Sequence, residues 1–286
     1  MRELNVQWFP GHMTKAKRMM QEELKLIDVV VEMLDARIPL SSSNPLLIET
    51  IGNKPKVIAL NKTDLADDEV TKSWLDFFTA TNIPVVKIDS AKGQGVKALV
   101  AALKTIAQPI SDKWQARGVK NRNIRIMIVG IPNVGKSSLI NRFAKSAKVK
   151  TADRPGVTRG KQWISVGNGL DVLDTPGVLW PKFEDKSAAF ALAVTGAIKD
   201  EIFDMQEAGK LLVDFLLENY PDNLIERYKL TEPLFSDIDE VMRLIAAKRG
   251  CLRAGGLIDE QKVSQLLLRE FRDGLLGKIS LEKPKM

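Results

Sequence analysis

The chain has 286 residues, 44% hydrophobic and 28% charged, enough material for a core and for about two domains at ~100–200 residues each. A formal net charge of +7 points either to plain solubilisation or to a polyanionic partner such as RNA. A single cysteine, Cys251, excludes an internal disulfide. Asp28 and Glu32 break the apolar run Leu26–Leu34, and the N-terminus reads as neither a signal peptide nor a clear transit peptide, so no membrane association and a cytosolic location are expected.

Residues 1–25 are mixed: Trp8-Phe9-Pro10-Gly11-His12-Met13 precede a helical stretch with Lys15, Lys17, Arg18 and Glu22 on a charged face. Val29–Leu34, β-branched and closed by Asp35-Ala36-Arg37, predicts a buried strand. Val57–Leu60 predicts the next and runs directly into Asn61-Lys62-Thr63-Asp64. Asp67 is placed to cap a helix through about Thr79, with Trp74, Phe77 and Phe78 offered to the core. Val85–Ile88 predicts a third strand, leading to Ser90-Ala91-Lys92, after which Val96, Leu99, Leu103 and Ile106 recur at helical spacing. Polar, aperiodic Pro109–Asn123 predicts a linker.

Ile124–Val129 predicts a strand, Lys136–Phe143 the start of a helix, and Lys145–Gly160 a mobile loop. Trp163–Val166 and Leu170–Leu173 predict a hairpin about Gly167-Asn168-Gly169. Strands alternating with helices argue for a mostly parallel sheet with helices on both faces. Beyond about Pro181 no strand-like run persists. Asp204 with Glu207 gives a capping-box pattern ahead of Leu211–Leu217, and Ile238–Leu252 and Glu260–Phe271 read as helices, the latter with Val263, Leu267 and Phe271 on one face. The expected division is an α/β domain with its N-terminal arm over residues 1–180 and an all-helical domain over 181–286.

Four segments carry chemistry. Gly130-Ile131-Pro132-Asn133-Val134-Gly135-Lys136-Ser137 falls between a predicted strand and a predicted helix, the setting a phosphate loop requires. Its glycines let backbone N–H groups turn toward a β-phosphate, and the helix N-terminus adds a favourable dipole. Lys136 supplies charge to the β- and γ-phosphates and Ser137 a hydroxyl to Mg²⁺, with Val134, Gly135 and Ser138 completing the loop. Asp174-Thr175-Pro176-Gly177 closes the second hairpin strand: Asp174 can hold Mg²⁺ through water, and the Gly177 N–H can reach the γ-phosphate. Thr158 is the candidate for the remaining Mg²⁺ ligand.

The base is read elsewhere. A carboxylate at Asp64 accepts from both N1–H and the exocyclic amine of guanine, a pattern adenine lacks. Asn61 can bond the Hoogsteen side, Lys62 can lie over the base, and Ser90, Ala91 and Lys92 bring a backbone donor near O6. These motifs predict GTP or GDP as ligand. Their order is inverted, since the guanine reader precedes the phosphate loop, and that order predicts a circularly permuted P-loop GTPase. The break in the domain then falls between the switch after Gly177 and the strand that ordinarily follows it.

Many small GTPases orient the attacking water with a Gln after Asp-x-x-Gly. Here Val178 and Leu179 stand there and cannot. His12, the only histidine, is one candidate to serve hydrolysis; its alternative is a surface or capping role. Asn133 is another, holding a monovalent cation against the phosphates; its alternative is bonding within the loop.

Together with Trp8–Met13 and Asp35-Ala36-Arg37, these motifs resemble the YlqF/RbgA-type ribosome-biogenesis GTPases over essentially the whole chain. The resemblance implies a bacterial cytoplasmic protein acting late in assembly of the large (50S) ribosomal subunit. It implies contacts with rRNA and ribosomal proteins through the helical domain, and hydrolysis stimulated by the particle. It implies that His12 serves hydrolysis and that Asn133 goes with activation by K⁺. A monomer is expected. Arg243, Lys248, Arg249, Arg253, Arg269, Arg272, Lys278, Lys283 and Lys285 are the basic residues available for RNA, on a domain joined to the switch through Val178–Lys182. The rival reading is a GTP-gated RNA or protein binding module whose hydrolysis is incidental.

Overall fold

The computed structural model describes residues 3–6, 20–119, 122–146, 163–173, 186–231 and 237–284. Two compact units emerge, one of residues 10–181 with 282–286, the other of residues 1–9 with 182–281.

The first unit is built on a six-stranded sheet of order β3-β2-β1-β4-β6-β5, with β1 (Val29–Asp35), β2 (Lys56–Asn61), β3 (Val85–Lys87), β4 (Ile124–Val129), β5 (Trp163–Ser165) and β6 (Leu170–Leu173). All pairings are parallel except the β5–β6 hairpin. Every residue of β1 is buried, as a central parallel strand covered on both faces requires. Helices α1 (Pro39–Ser42), α2 (Pro45–Ile51), α3 (Asp68–Ala80), α4 (Val96–Ala116) and α5 (Lys136–Ser146) fill the connections. Val30, Met127, Val129 and Leu173 pack with Leu47 and Ile51, while Leu34, Ile58 and Leu60 pack with Val70, Trp74 and Phe78.

The Asp67 carboxylate accepts the Val70 N–H at 3.0 Å and caps α3 as its sequence predicts. Trp74 and Phe78, one helical turn apart, are buried; Phe77 is 38% exposed and lies off the core face proposed for it. The predicted linker is largely helix, because α4 runs on to Ala116 with Pro109 inside it. A helix already nucleated over its buried Val96, Leu99, Leu103 and Ala107 propagates through polar residues at little cost, and the Gln108–Asp112 pair bonds across one turn. Arg122 then stacks on Trp114, 4.5 Å from the ring centroid, and pairs with Asp28 at 2.9 Å.

Glu282 belongs to this unit. Its carboxylate accepts the backbone N–H groups of Leu40 (2.7 Å) and Ser41 (3.1 Å) and the Ser41 hydroxyl, and its carbonyl accepts the Trp74 indole N–H at 3.1 Å. The residue is partly exposed, and its carboxyl end is engaged in these bonds.

The second unit contains α6 (Lys186–Val194), α7 (Met205–Asn219), α8 (Pro221–Tyr228), α9 (Ile238–Arg249) and α10 (Glu260–Arg272). Among its described residues there is no strand, only the isolated bridges Val6–Phe203 and Leu252–Ile258. Asp204 caps α7 by accepting from the N–H groups of Gln206 and Glu207. Val263, Leu267 and Phe271 are buried on one face of α10, as their spacing predicts. Gly209 lets α7 approach α10: a Cβ there would stand 2.5 Å from Ser264 Oγ. Glu270, also buried, accepts from Arg227 (2.8 Å) and Tyr228 (2.9 Å). Arg272 donates to the carbonyls of Ala193 and Val194 at the end of α6 and pairs with Asp200 at 2.7 Å, so its charge is engaged within the unit.

Candidate nucleotide-binding site

The parallel strands end together, and their C-terminal ends carry the loops. Asn61 terminates β2, and its amide nitrogen donates to Val134 O at 2.6 Å and Ser90 Oγ at 3.0 Å. Its amide oxygen accepts the Ser90 N–H at 2.9 Å. One buried side chain thus joins the Asn61–Asp64 loop to both the Ser90–Lys92 loop and the phosphate loop. Thr63 adds a bond from Oγ1 to Ile88 O at 3.2 Å.

In the phosphate loop, Gly130, Asn133 and Gly135 adopt φ of 155°, 57° and 107°. Such a backbone turns consecutive N–H groups inward, the concavity that receives phosphate. Gly135 is required on space as well as on torsion, since a Cβ would strike the Asn61 amide and stand 2.9 Å from Ser90 Oγ. Lys136 opens α5 and folds back over the loop, its Nζ donating to Gly130 O (3.0 Å) and Ile131 O (2.7 Å). Burial pushes its pKa down to about 8. A phosphate at this point would restore the preference for the charged form. Ser137 and Ser138 are exposed in the first helical turn, and Val134 is buried beneath them.

On the base side, Asp64 pairs with Lys92 at 3.1 Å. This bridge is exposed enough to contribute little, so it does not withhold the carboxylate from a base. The Ala91 N–H, assigned to guanine O6, is held by Asp89 Oδ1 at 2.9 Å together with the Lys92 N–H at 2.9 Å. A base at this loop would share that donor with Asp89. Arg142 of α5 donates to Ala91 O and ties the phosphate-loop helix to the same turn.

Asp89 and Arg142 carry no local sequence signal that marks them, and Asp35 reads from sequence as a strand terminator and part of the Asp35-Ala36-Arg37 motif, with no role of its own. His12, Thr158, Asp174, Gly177 and Val178 lie outside the described residues, as does residue 147 onward of the loop predicted over Lys145–Gly160. Among the described residues no three His, Cys, Asp or Glu side chains gather where a metal ion could sit. The exposed Ser137 hydroxyl beside the phosphate loop suits Mg²⁺ nonetheless, because that ion is commonly held by one or two protein groups plus substrate phosphates. No helix among the described residues is long and apolar enough to cross a membrane.

A family model described as 50S ribosome-binding GTPase matches residues 125–228, which include all of β4 but its first residue and the whole phosphate loop. Ribosome biogenesis GTPase A of Bacillus cereus is 51% identical over 280 residues, covering 98% of this chain and 94% of that protein. The chain belongs to the ribosome biogenesis GTPase A family. Two solved structures match over most of the chain. A GDP-bound structure of TM YlqF matches with a TM-score of 0.68 at 28% identity, covering 93% of this chain and 99% of that one. GNP-bound YlqF from T. maritima gives 0.66 at 29%, covering 95% and 99%. As a member of the ribosome biogenesis GTPase A family, the chain is a GTP-hydrolysing enzyme that binds guanine nucleotides. Its GTPase domain is circularly permuted: the strand feeding the phosphate loop is fourth in the chain, yet it lies beside β1 at the centre of the sheet.

Proposed function

We propose that this GTPase acts in the cytoplasm, late in assembly of the large ribosomal subunit, with turnover stimulated by the immature particle. The Asn61 bridge carries the site reading, because it places the guanine-reading loop against the phosphate loop. In this reading Asp64 selects guanine, Asn61 and Lys62 flank the base, and Ser90, Ala91 and Lys92 close over its O6 edge. Asn133, Val134, Gly135, Lys136, Ser137 and Ser138 hold the phosphates. Ser137, Thr158 and Asp174 would hold Mg²⁺, which screens developing phosphate charge, and Asn133 would hold K⁺. Gly177 would sense the γ-phosphate and His12 would serve hydrolysis.

The helical unit is the proposed rRNA-facing part. Arg243, Lys248, Arg249, Arg253, Arg269 and Lys278 are exposed on it, and Arg272 is partly exposed and paired with Asp200. Support for the ribosomal partner comes from the named relative and the matching family description. GTP hydrolysis should be measured with 50S particles, 30S particles and none, each in potassium and in sodium. Strong stimulation by 50S alone, greater in potassium, is expected. The apolar Val178 favours a second reading, a GTP-gated binding module with incidental hydrolysis. Unstimulated single turnover together with particle affinity that depends on the nucleotide would select that reading instead.

A further inference from the structure

Strand register decides what stands beside the guanine-reading loop. β1 and β2 pair with Asp35 opposite Asn61, and the Ala36 N–H donates to Asn61 O at 2.8 Å, so the two strand ends are locked together. Lys62 leaves β2 with φ of 61°, and its ammonium reaches Asp35, Nζ to Oδ2 at 2.9 Å.

Asp35 is held from every side. It is 2% exposed, and its N–H donates to Ser42 Oγ at 3.0 Å. Oδ1 accepts the backbone N–H (3.1 Å) and Nε (3.0 Å) of Arg37, and Oδ2 accepts Arg37 Nη2 at 2.8 Å. Burial pushes this carboxyl up, but the charges and hydrogen bonds of Arg37 and Lys62 outweigh it and hold the group well below the usual carboxylate range.

The forked Arg37 pair already neutralises the buried anion. A second cation is therefore not needed to satisfy it, and a lysine at a strand end ordinarily extends its ammonium into water. Drawing Lys62 inward costs rotamer freedom, and the return lies in the loop it belongs to. We infer that Asp35 is a positioning residue for the guanine-reading Lys62, ordering its side chain before nucleotide arrives. The inference rests on the reading of Asn61–Asp64 as the guanine reader. Asp35 does not itself touch the nucleotide in it.

The test is a double-mutant cycle on the 286-residue chain, titrated with a fluorescent GDP analogue. Asp35→Asn keeps the shape and loses the charge, and should weaken binding on the order of three- to tenfold, the range expected when one rotamer-rich side chain must be ordered on binding. Lys62→Met should weaken it at least as much, and Asp35→Asn should add nothing in the Lys62→Met background. Losses that multiply, or Asp35→Asn binding like wild type, overturn the inference and leave the guanine-site reading standing. Lys62→Met binding like wild type instead overturns the assigned role of Lys62. Should Asp35→Asn alone fail to fold because it strands the Arg37 guanidinium, Asp35→Asn with Arg37→Met replaces it in the same cycle, read the same way.

Discussion

The Asn61 side chain donates to the carbonyl of Val134 at 2.6 Å, although the two residues lie a full guanine-reading module apart in the chain. In a permuted domain this bond takes on particular weight: the guanine loop precedes the phosphate loop in the chain, and one buried amide holds the two together. Removing it leaves Val134 O, Ser90 N and Ser90 Oγ without their partner. We expect Asn61→Ala to lower unfolding free energy by about 2–4 kcal/mol, as loss of several buried hydrogen bonds does, and to abolish GDP binding at micromolar nucleotide. Urea unfolding and GDP titration check both halves.

Gly135→Ala attacks the same junction from the other side. The residue has φ of 107° and its Cβ would overlap Asn61, so both strain and overpacking apply. A loss of about 2–4 kcal/mol in stability is expected, with nucleotide binding falling in parallel; a thermal melt with and without GDP decides it.

Asp64→Asn should relax base choice, since the amide can no longer accept from both N1–H and the exocyclic amine of guanine. Loss of GDP binding with gain of xanthosine-diphosphate binding is expected. Competition between the two nucleotides reads it directly.

Glu282 gives a pH prediction. Burial pushes its carboxyl up to about 7, with Asp35 adding to the rise, while the Ser41 hydroxyl and the N–H groups of Leu40 and Ser41 oppose it. In the unfolded chain the group returns to the ordinary value of 4.5. The folded state therefore binds this proton more tightly, so the contribution is fully present below pH 4.5 and lost as pH rises through about 7. Between pH 6 and pH 8 the tail contact should weaken by on the order of 1 kcal/mol. Glu282→Gln should flatten that part of the dependence, measured as the difference between variant and wild-type urea unfolding at each pH.

In the helical unit, Gly209→Ala should destabilise by about 1–3 kcal/mol despite the better helix propensity of alanine, because its Cβ meets Ser264. Unfolding monitored by circular dichroism checks the sign.

Where the sequence was legible, the reason was local. β4 and the β5–β6 hairpin follow from β-branched runs with turn residues between them, and the Asp67 and Asp204 caps from short-range side-chain to backbone bonds. The permuted motif order was equally plain, since each loop keeps its own local signature. Illegible features were those that depend on distant partners. The continuation of α4 past Pro109 is set by a helix already packed on the sheet, and the anchoring of Arg272 by carbonyls at the end of α6. Asp89 and Arg142 act on a turn whose role appears only when three loops meet. That Glu282 sits on Leu40 and Ser41 has no counterpart in any periodicity.

The central claim is that the Asn61–Asp64 and Gly130–Ser137 loops close on one guanine nucleotide. Equilibrium titration of GDP and ADP into wild type, Asp64→Asn and Lys136→Ala addresses it most directly. One GDP per wild-type chain, no ADP, and GDP binding lost in both variants is the predicted result. Wild-type GDP affinity in either variant would contradict the account.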